Sequence, residues 1–195
     1  MSRDLVVIGS SWGGLVALET ILRALPKDFG AAIAIAQHRS PDSGSGALGA
    51  MLGRYSALEV CEAGDKEPIE PGRVYIAPPD YHLYVEEGSF ALDVDDAVQY
   101  SRPSIDVLFD SAADVYGERL AAVILTGANQ DGAYGITRVR RRGGLTIAQD
   151  PATAAKREMP AAAIATGAVD RVLPLDEIGP VLASVSARDT NGSRA

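Results

Sequence analysis

Short apolar runs alternate along this chain with segments whose apolar residues recur at helical spacing. Residues 5–8 (LVVI) form a run of four apolar residues that ends at a glycine, and a helical pattern follows at residues 13–25. Runs of this length suit strands that are buried on both faces, as in parallel sheets covered by helices. The alternation therefore predicts an α/β fold with a doubly wound, mostly parallel sheet and helices on both faces.

The same alternation continues through the rest of the chain. Further strands are expected at residues 31–36, 73–77, 120–125, 145–148 and 169–173. Further helices are expected at residues 45–55, 103–116, 131–142, 160–166 and 175–185. Residues 81–86 and 89–94 flank a Glu-Gly pair and predict an antiparallel hairpin added to the sheet. Residues 1–186 are thus expected to form one domain, and the polar residues 187–195 a disordered tail.

Charge and cysteine content limit the classes of function. The chain has 195 residues and a formal net charge of −8, which weighs against binding to nucleic acid or to an anionic membrane surface. No apolar run approaches the ~20 residues of a membrane span, and the start of the chain lacks the features of a signal peptide. We therefore expect a cytoplasmic protein without nucleic-acid binding or membrane insertion. The single cysteine, Cys61, excludes an intramolecular disulfide, and with only two histidines we expect neither a metal nor a cofactor.

The first predicted strand leads into a turn that matches the pattern G-x-S-x-G. Gly9 and Gly13 flank Ser11 in this turn, and Trp12 follows the serine. A strand–turn–helix unit of this kind raises the serine hydroxyl on a sharp bend, and the unpaired amides of Trp12 and Gly13 can hold an oxyanion. The pattern is loose, however, and a similar turn at a helix N-terminus binds phosphate. From this turn alone, a nucleophile and a phosphate site both remain open.

Two further residues follow predicted strands and can complete a catalytic group. His38 comes two residues after the second strand, and histidine is the usual general base for a serine because its ordinary pKa is about 6.5. Asp131 follows the central strand and can orient that base, although it can also simply cap the helix that it precedes. Because the three loops lie on one side of the sheet, Ser11, His38 and Asp131 are predicted to form a Ser-His-Asp triad. His82 begins the hairpin and is expected at the rim of the site or in contact with substrate.

Seven segments of the chain resemble the catalytic domain of chemotaxis protein-glutamate methylesterases, the CheB-type enzymes. They extend from about residue 5 to residue 185, in the family's order: VVIGSSWGG, LPKDFGAAIAIAQHR, EAGDKEPIEPGRVYIAPPDYHLYV, RPSIDVLFDSAA, AVILTGANQDGAYGI, GGLTIAQDPATA and MPAAAIATGAVDRVLPLDEI. The resemblance implies hydrolysis of glutamate methyl esters on chemoreceptors with release of methanol, often with glutamine deamidation. The family's serine, histidine and aspartate fall on Ser11, His38 and Asp131. Residues expected to hold the oxyanion or line the substrate are Trp12, Gly13, Ala128, Met159 and His82.

The resemblance also implies partners. The substrate would be the methylated cytoplasmic helices of a chemoreceptor, and a separate receiver or chemotaxis signalling protein would be a second partner. Typical members carry an N-terminal receiver domain, for which there is no room before residue 5. We therefore expect a stand-alone or excised catalytic domain.

Four positions depart from the family's usual pattern. Trp12 replaces a threonine after the serine, Arg39 replaces a methionine after the histidine, and Ala128 and Asn129 replace methionine and glycine before the aspartate. These departures leave a divergent serine hydrolase or amidase with another substrate as an alternative function. A non-catalytic nucleotide-binding or regulatory module is a further alternative. It would need a ribose-binding acid after the second strand, where His38 and Arg39 stand instead.

Overall fold

Nine β-strands and six α-helices make up residues 3–186, the part of the chain that the structure, a computed structural model, describes. The strands are β1 Leu5–Ser10, β2 Ala32–Gln37, β3 Glu59–Glu62, β4 Arg73–Ile76, β5 His82–Glu86, β6 Ser89–Asp93, β7 Leu120–Ile124, β8 Leu145–Gln149 and β9 Arg171–Leu173. The helices are α1 Gly14–Arg23, α2 Ala47–Leu52, α3 Ile105–Tyr116, α4 Ala133–Arg141, α5 Glu158–Ala165 and α6 Leu175–Val185. The expected tail, residues 187–195, lies outside the described residues.

Seven of these strands form one parallel sheet. Their spatial order is β3-β4-β2-β1-β7-β8-β9, and every neighbouring pair is parallel. β1 lies between β2 and β7, with Ser10 opposite Gln37 and Gly9 opposite Ile124. β5 and β6 pair separately as an antiparallel hairpin. The predicted α/β fold with its additional hairpin is therefore confirmed. Because β2, β1 and β7 are adjacent and parallel, the loops that follow them emerge side by side.

The two faces of the sheet carry separate hydrophobic cores. Successive side chains of a strand point to opposite faces, so Leu5 and Val7 of β1 lie in one core and Val6 and Ile8 in the other. The first core contains residues from α3, α4, α5 and the hairpin, and the second contains residues from α1, α2 and α6. Helices thus cover both faces, which explains why the strands are continuous apolar runs rather than alternating patterns.

The ends of several elements differ from the sequence prediction. α2 covers Ala47–Leu52 instead of residues 45–55, and it begins after Gly46, whose φ of 76° lies in the left-handed region. α5 begins at Glu158, two residues earlier than expected, and β9 begins at Arg171, two residues later. β3, at the edge of the sheet, was not among the strands predicted from the apolar runs. β3 has a hydrogen-bonded neighbour on one side only, and none of its residues is fully buried, Cys61 included, so its sequence, EVCE, is only half apolar.

The first core predicts a large effect of truncating Phe109. This α3 side chain is fully buried, and Phe109→Ala should lower the free energy of unfolding by about 3–5 kcal/mol because it leaves a cavity. Urea denaturation followed by circular dichroism measures this change. The matched variant Val16→Ala changes an exposed residue of α1 and should shift stability by less than about 0.5 kcal/mol. Equal stabilities of the two variants would contradict the assignment of Phe109 to the core.

Candidate active site

The turn between β1 and α1 is held by two hydrogen bonds to Thr126, which follows β7. The amide of Ser11 donates to the carbonyl oxygen of Thr126 at 2.9 Å, and the Thr126 hydroxyl donates to the carbonyl oxygen of Trp12 at 2.8 Å. Gly13 adopts a φ of 77°, a backbone conformation that glycine allows at no steric cost. In this turn, Ser11 lines a surface cavity.

The two neighbouring serines of this turn have different environments. Ser10 is buried, and its hydroxyl donates to Oε1 of Gln37 at 2.6 Å. The side-chain amide nitrogen of the same Gln37, Nε2, donates to the carbonyl oxygens of Ser11 at 3.0 Å and His38 at 2.8 Å. Gln37 thus connects the ends of β1 and β2. Since the Ser10 hydroxyl already has a buried partner, Ser11 is the serine of this pair that faces the cavity.

The amides after Ser11 lie at the N-terminus of α1. The amide of Gly14 donates to the carbonyl oxygen of Ser11 at 2.9 Å. The amides of Trp12 and Gly13 have no protein acceptor within residues 3–186. Free amides at the positive end of a helix dipole stabilise a negatively charged oxygen. The geometry therefore offers an anion-stabilising position next to the Ser11 hydroxyl.

His38 and Asp131 come together from the loops after β2 and β7. The Nε2 atom of His38 lies 2.8 Å from Oδ2 of Asp131. The Asp131 side chain is fully buried and that of His38 is 11% exposed. In the neutral ring, a carboxylate at Nε2 favours the tautomer with its proton on that nitrogen, so that Nδ1 accepts. The Ser101 hydroxyl and the Asn129 amide lie 3.5 Å from Nδ1, at the long limit of a hydrogen bond.

The Asp131 carboxylate sits at the N-terminus of α3. It accepts hydrogen bonds from the amide of Ile105 at 2.7 Å, the amide of Asp106 at 2.9 Å and the hydroxyl of Ser104 at 3.0 Å. Burial acts to raise the pKa of Asp131, but the hydrogen bonds from His38 and the two amides outweigh it and hold the pKa below its usual range. Asp131 is therefore ionised at neutral pH. The sequence left open that Asp131 caps α4, the helix that it precedes. This alternative is wrong, because Gly132 occupies the cap position of α4.

Ser11 and His38 line the same open cavity, which has a volume of about 600 Å³. Its walls are strongly charged. Arg102 and Asp80 both line the cavity and form an ion pair at 2.6 Å. Arg39 also lines the cavity and forms an ion pair at 2.6 Å with Glu62, which does not line it. The remaining lining residues are Pro41, Asp96, Ala97, Tyr100, Ser101 and Asn129. A polar or charged substrate group fits such a cavity better than a purely apolar one.

The other residues predicted for the site are distributed differently. Trp12 is 68% exposed beside Ser11, whereas Ala128 is exposed in the loop before Asp131 and Met159 is buried against Gly127. None of Trp12, Gly13, Ala128 and Met159 lines the described cavity. The expectation that His82 lies at the rim is wrong, since this side chain is only 1% exposed.

His82 has a structural place instead. Its Nδ1 accepts a hydrogen bond from the amide of Ser104 at 3.2 Å, and its Nε2 lies 3.1 Å from the carbonyl oxygen of Asp96. The ring thus joins the hairpin to the start of α3. Sequence reasoning also missed Ser104 and Asp106, which contact Asp131. Their signal was a serine at the start of the helix predicted for residues 103–116, with an acid two positions later.

Within residues 3–186, no group of three or more His, Cys, Asp or Glu side chains is arranged to hold a metal ion. No helix in this range combines the length and apolar character needed to cross a bilayer.

A doubly wound sheet with a polar site beyond the carboxyl ends of its central strands defines the class of this protein, an α/β domain with a site at the strand termini. Comparison with known proteins then identifies the family. The family model described as CheB methylesterase matches residues 6–182. The chain belongs to the CheB methylesterase family, a family of hydrolases.

Individual relatives support this assignment. A protein of Leptospira interrogans is 45% identical over 179 residues, which cover 91% of this chain and 92% of that protein. The protein-glutamate methylesterase FrzG of Myxococcus xanthus is 45% identical over the same length, but this chain spans only 53% of it. The crystal structure of the Thermotoga maritima CheB methylesterase catalytic domain matches with a TM-score of 0.89 and 41% identity, covering 94% of this chain and 99% of that one.

The position of Asp131 predicts a pH-dependent contribution to stability. Asp131→Ala removes the acceptor for three donors at the start of α3 and should lower the free energy of unfolding by about 1–3 kcal/mol at pH 7. Because the folded-state pKa of Asp131 lies below its usual value, this contribution is complete above the unfolded-state pKa of about 3.9 and is lost as pH falls further. Urea denaturation at pH 7 and pH 3 measures both effects. A difference between wild type and variant that does not shrink at pH 3 would count against an ionised Asp131.

Proposed function

We propose that this protein is a protein-glutamate methylesterase that hydrolyses methyl esters on chemoreceptors and releases methanol. Glutamine deamidation is proposed as a second reaction of the same site. The observation that carries the proposal is the convergence of Ser11, His38 and Asp131 from three adjacent strand ends, in a chain of this family. A relative from Anaeromyxobacter dehalogenans, 47% identical over 175 residues, is named for both activities.

In the proposed mechanism these three residues act as a Ser-His-Asp triad. Nδ1 of His38 takes the proton of the Ser11 hydroxyl while Oγ attacks the ester carbonyl carbon. The amides of Trp12 and Gly13 hold the resulting oxyanion, and Asp131 keeps the proton on Nε2 and stabilises the imidazolium. Nδ1 then protonates the departing methoxide, so that methanol leaves and an acyl-enzyme remains.

The second half of the reaction regenerates the serine. Water attacks the acyl-enzyme carbonyl while His38 takes one of its protons, and the serine oxygen leaves with that proton. The product is the glutamate carboxylate. With a glutamine side chain as substrate, the leaving group of the first half is ammonia, and the second half is identical. The same residues thus account for both proposed reactions.

The proposal includes the partners and the extent of the domain. Methylated cytoplasmic helices of a chemoreceptor would approach the cavity past two exposed aromatic side chains, Trp12 and Tyr100. Residues 1–186 would act as one catalytic domain in the cytoplasm, controlled by a separate receiver or chemotaxis signalling protein. Such a substrate is protein-bound, and the open cavity has room for a side chain presented on a helix.

Replacing Ser11 tests the nucleophile. Ser11→Ala should lower methanol release from receptor membranes with radiolabelled methyl esters by about 10³-fold or more, because no acyl-enzyme can form. The matched variant Ser10→Ala changes the neighbouring hydroxyl, which is bound to Gln37, and should reduce release by less than about tenfold. Circular dichroism verifies that both variants fold.

Other outcomes separate the alternative functions. If the wild type cleaves a generic ester without releasing methanol, the site is an active serine hydrolase with another substrate, as exposed Trp12 next to Ser11 would allow. If the wild type cleaves neither, and nucleotides raise its thermal midpoint, the non-catalytic nucleotide-binding function replaces the proposal. Equal activities of Ser11→Ala and the wild type would remove Ser11 from the mechanism.

The histidine base predicts a pH dependence of the rate. The proposed mechanism requires a neutral His38, because a protonated ring cannot accept the serine proton. We expect kcat/KM for a generic ester to fall as pH decreases from 8 to 5, with the protein still folded by circular dichroism. A flat profile over this range would contradict a histidine base.

A further inference from the structure

The N-termini of α3 and α4 meet, and each is capped by an aspartate from the other side. Asp131, just before α4, accepts from the α3 amides of Ile105 and Asp106. In return, Asp106 in the first turn of α3 accepts from the amide of Gly132 at 2.9 Å and from that of Gly135 at 2.7 Å. The two carboxylates therefore form a reciprocal pair of helix caps.

Close packing of the two helices leaves this pair little freedom. A Cβ atom on Gly135 would lie 2.6 Å from Cβ of Phe109 and 3.2 Å from Cα of Asp106, so only glycine permits the approach. Asp106 itself is 5% exposed. Its second oxygen, Oδ2, accepts from the side-chain amide of Gln99 at 2.7 Å. Both oxygens of the Asp106 carboxylate are thus bound by described neighbours.

The contact with Gly132 connects this pair to the active site. Gly132 is the residue directly after Asp131, so a hydrogen bond to its amide fixes the backbone that carries the Asp131 side chain. Asp131 in turn holds Nε2 of His38 at 2.8 Å. We propose that Asp106, which touches neither substrate nor His38, is a positioning residue that orients His38 through Asp131. This inference rests on the proposed function, because it assigns Asp106 a part in the same triad.

The ionisation of the two carboxyl groups supports this division of roles. Burial, followed by the negative charge of Asp131, raises the pKa of Asp106 to about 6, despite the hydrogen bonds that it accepts from Gly135 and Gly132. The pKa of Asp131 is held below its usual range. When one proton enters the pair, Asp106 takes it, and Asp131 keeps the charge that stabilises a protonated His38. The other ionisable groups in the groove beside Asp106 are Tyr84, Asp110, Asp114 and Tyr134.

Two variants of Asp106 and one control separate positioning from simple stabilisation. Asp106→Ala removes both carboxylate oxygens, the acceptors of these hydrogen bonds. Asp106→Asn removes the negative charge but keeps one oxygen that can accept from the amides of Gly132 and Gly135. The control is Asp170→Ala. Asp170 also accepts from a backbone amide, that of Thr146 at 3.0 Å, and it does not line the cavity of Ser11. Thermal midpoints of all variants are measured first, and rates are compared at a temperature where each is folded.

The main readout is the rate at which a fluorophosphonate probe labels Ser11. Asp106→Ala should slow labelling by about 10–100-fold relative to Asp170→Ala, since a small misplacement of a catalytic group costs this much. Asp106→Asn should recover labelling to within about fivefold of the wild type. In steady-state assays with a generic ester, Asp106→Ala should lower kcat and leave KM within about twofold.

A second readout is the low-field proton resonance of the His38 Nε2–H group. It should be lost or shifted in Asp106→Ala and shifted in Asp106→Asn, because the Asp131 partner has moved or changed its charge environment. Equal labelling rates of Asp106→Ala and Asp170→Ala, with an unchanged His38 resonance, would overturn the proposal. If Asp106→Ala does not fold, Asp106→Ser, which keeps a polar side chain without the carboxylate, takes its place, and an unchanged labelling rate with an unchanged His38 resonance overturns the proposal.

The probe also keeps this inference apart from the proposed function. A wild type that labels at Ser11 but releases no methanol refutes only the methylesterase activity, and the Asp106 comparison stands. A wild type that does not label refutes the nucleophile. The His38 resonance then still reports whether Asp106 positions the pair of His38 and Asp131.

Discussion

The buried Asp131 carboxylate is the interaction on which the site depends. A charge removed from water needs compensating donors, and Asp131 finds them at the start of α3, in two amides and the Ser104 hydroxyl. The remaining contact of the carboxylate is with Nε2 of His38. The same contacts therefore stabilise the junction of α3 with α4, set the tautomer of the histidine and direct its other nitrogen toward the cavity. In the proposed mechanism, stability and catalysis share this carboxylate.

Sheet topology brings the three site residues together. β1 lies between β2 and β7, so the loops that carry Ser11, His38 and Asp131 emerge next to one another although His38 and Asp131 are 93 residues apart. Gln37 and Thr126 then fix the Ser11 turn from the two flanking strands. Membership in the CheB methylesterase family agrees with this arrangement. Around it, Trp12 is exposed next to Ser11 in the chain and Arg39 lines the cavity, and Arg39 would affect which substrates reach Ser11.

Most of the fold could be predicted from the sequence, because local apolar patterns carry the information. A buried parallel strand is a continuous apolar run, and LVVI and AAIAIA are such runs. The edge strand β3 is not such a run, because it lies at the end of the sheet and none of its residues is fully buried. The G-x-S-x-G turn singled out Ser11 over Ser10, and the hydrogen bond between the buried Ser10 hydroxyl and Gln37 agrees with that choice.

By itself, the sequence determined the fold class, the family and the loops that carry Ser11, His38 and Asp131. Only the tertiary structure decided what each side chain contacts. It moved His82 from the expected rim to a buried bridge between the hairpin and Ser104, and it made Asp131 the cap of α3 rather than of its own helix. It also revealed Asp106 as the reciprocal cap of α4. The physical reason is that such contacts join residues 20 or more positions apart, and only the packing of helices across the sheet brings their donors and acceptors within reach.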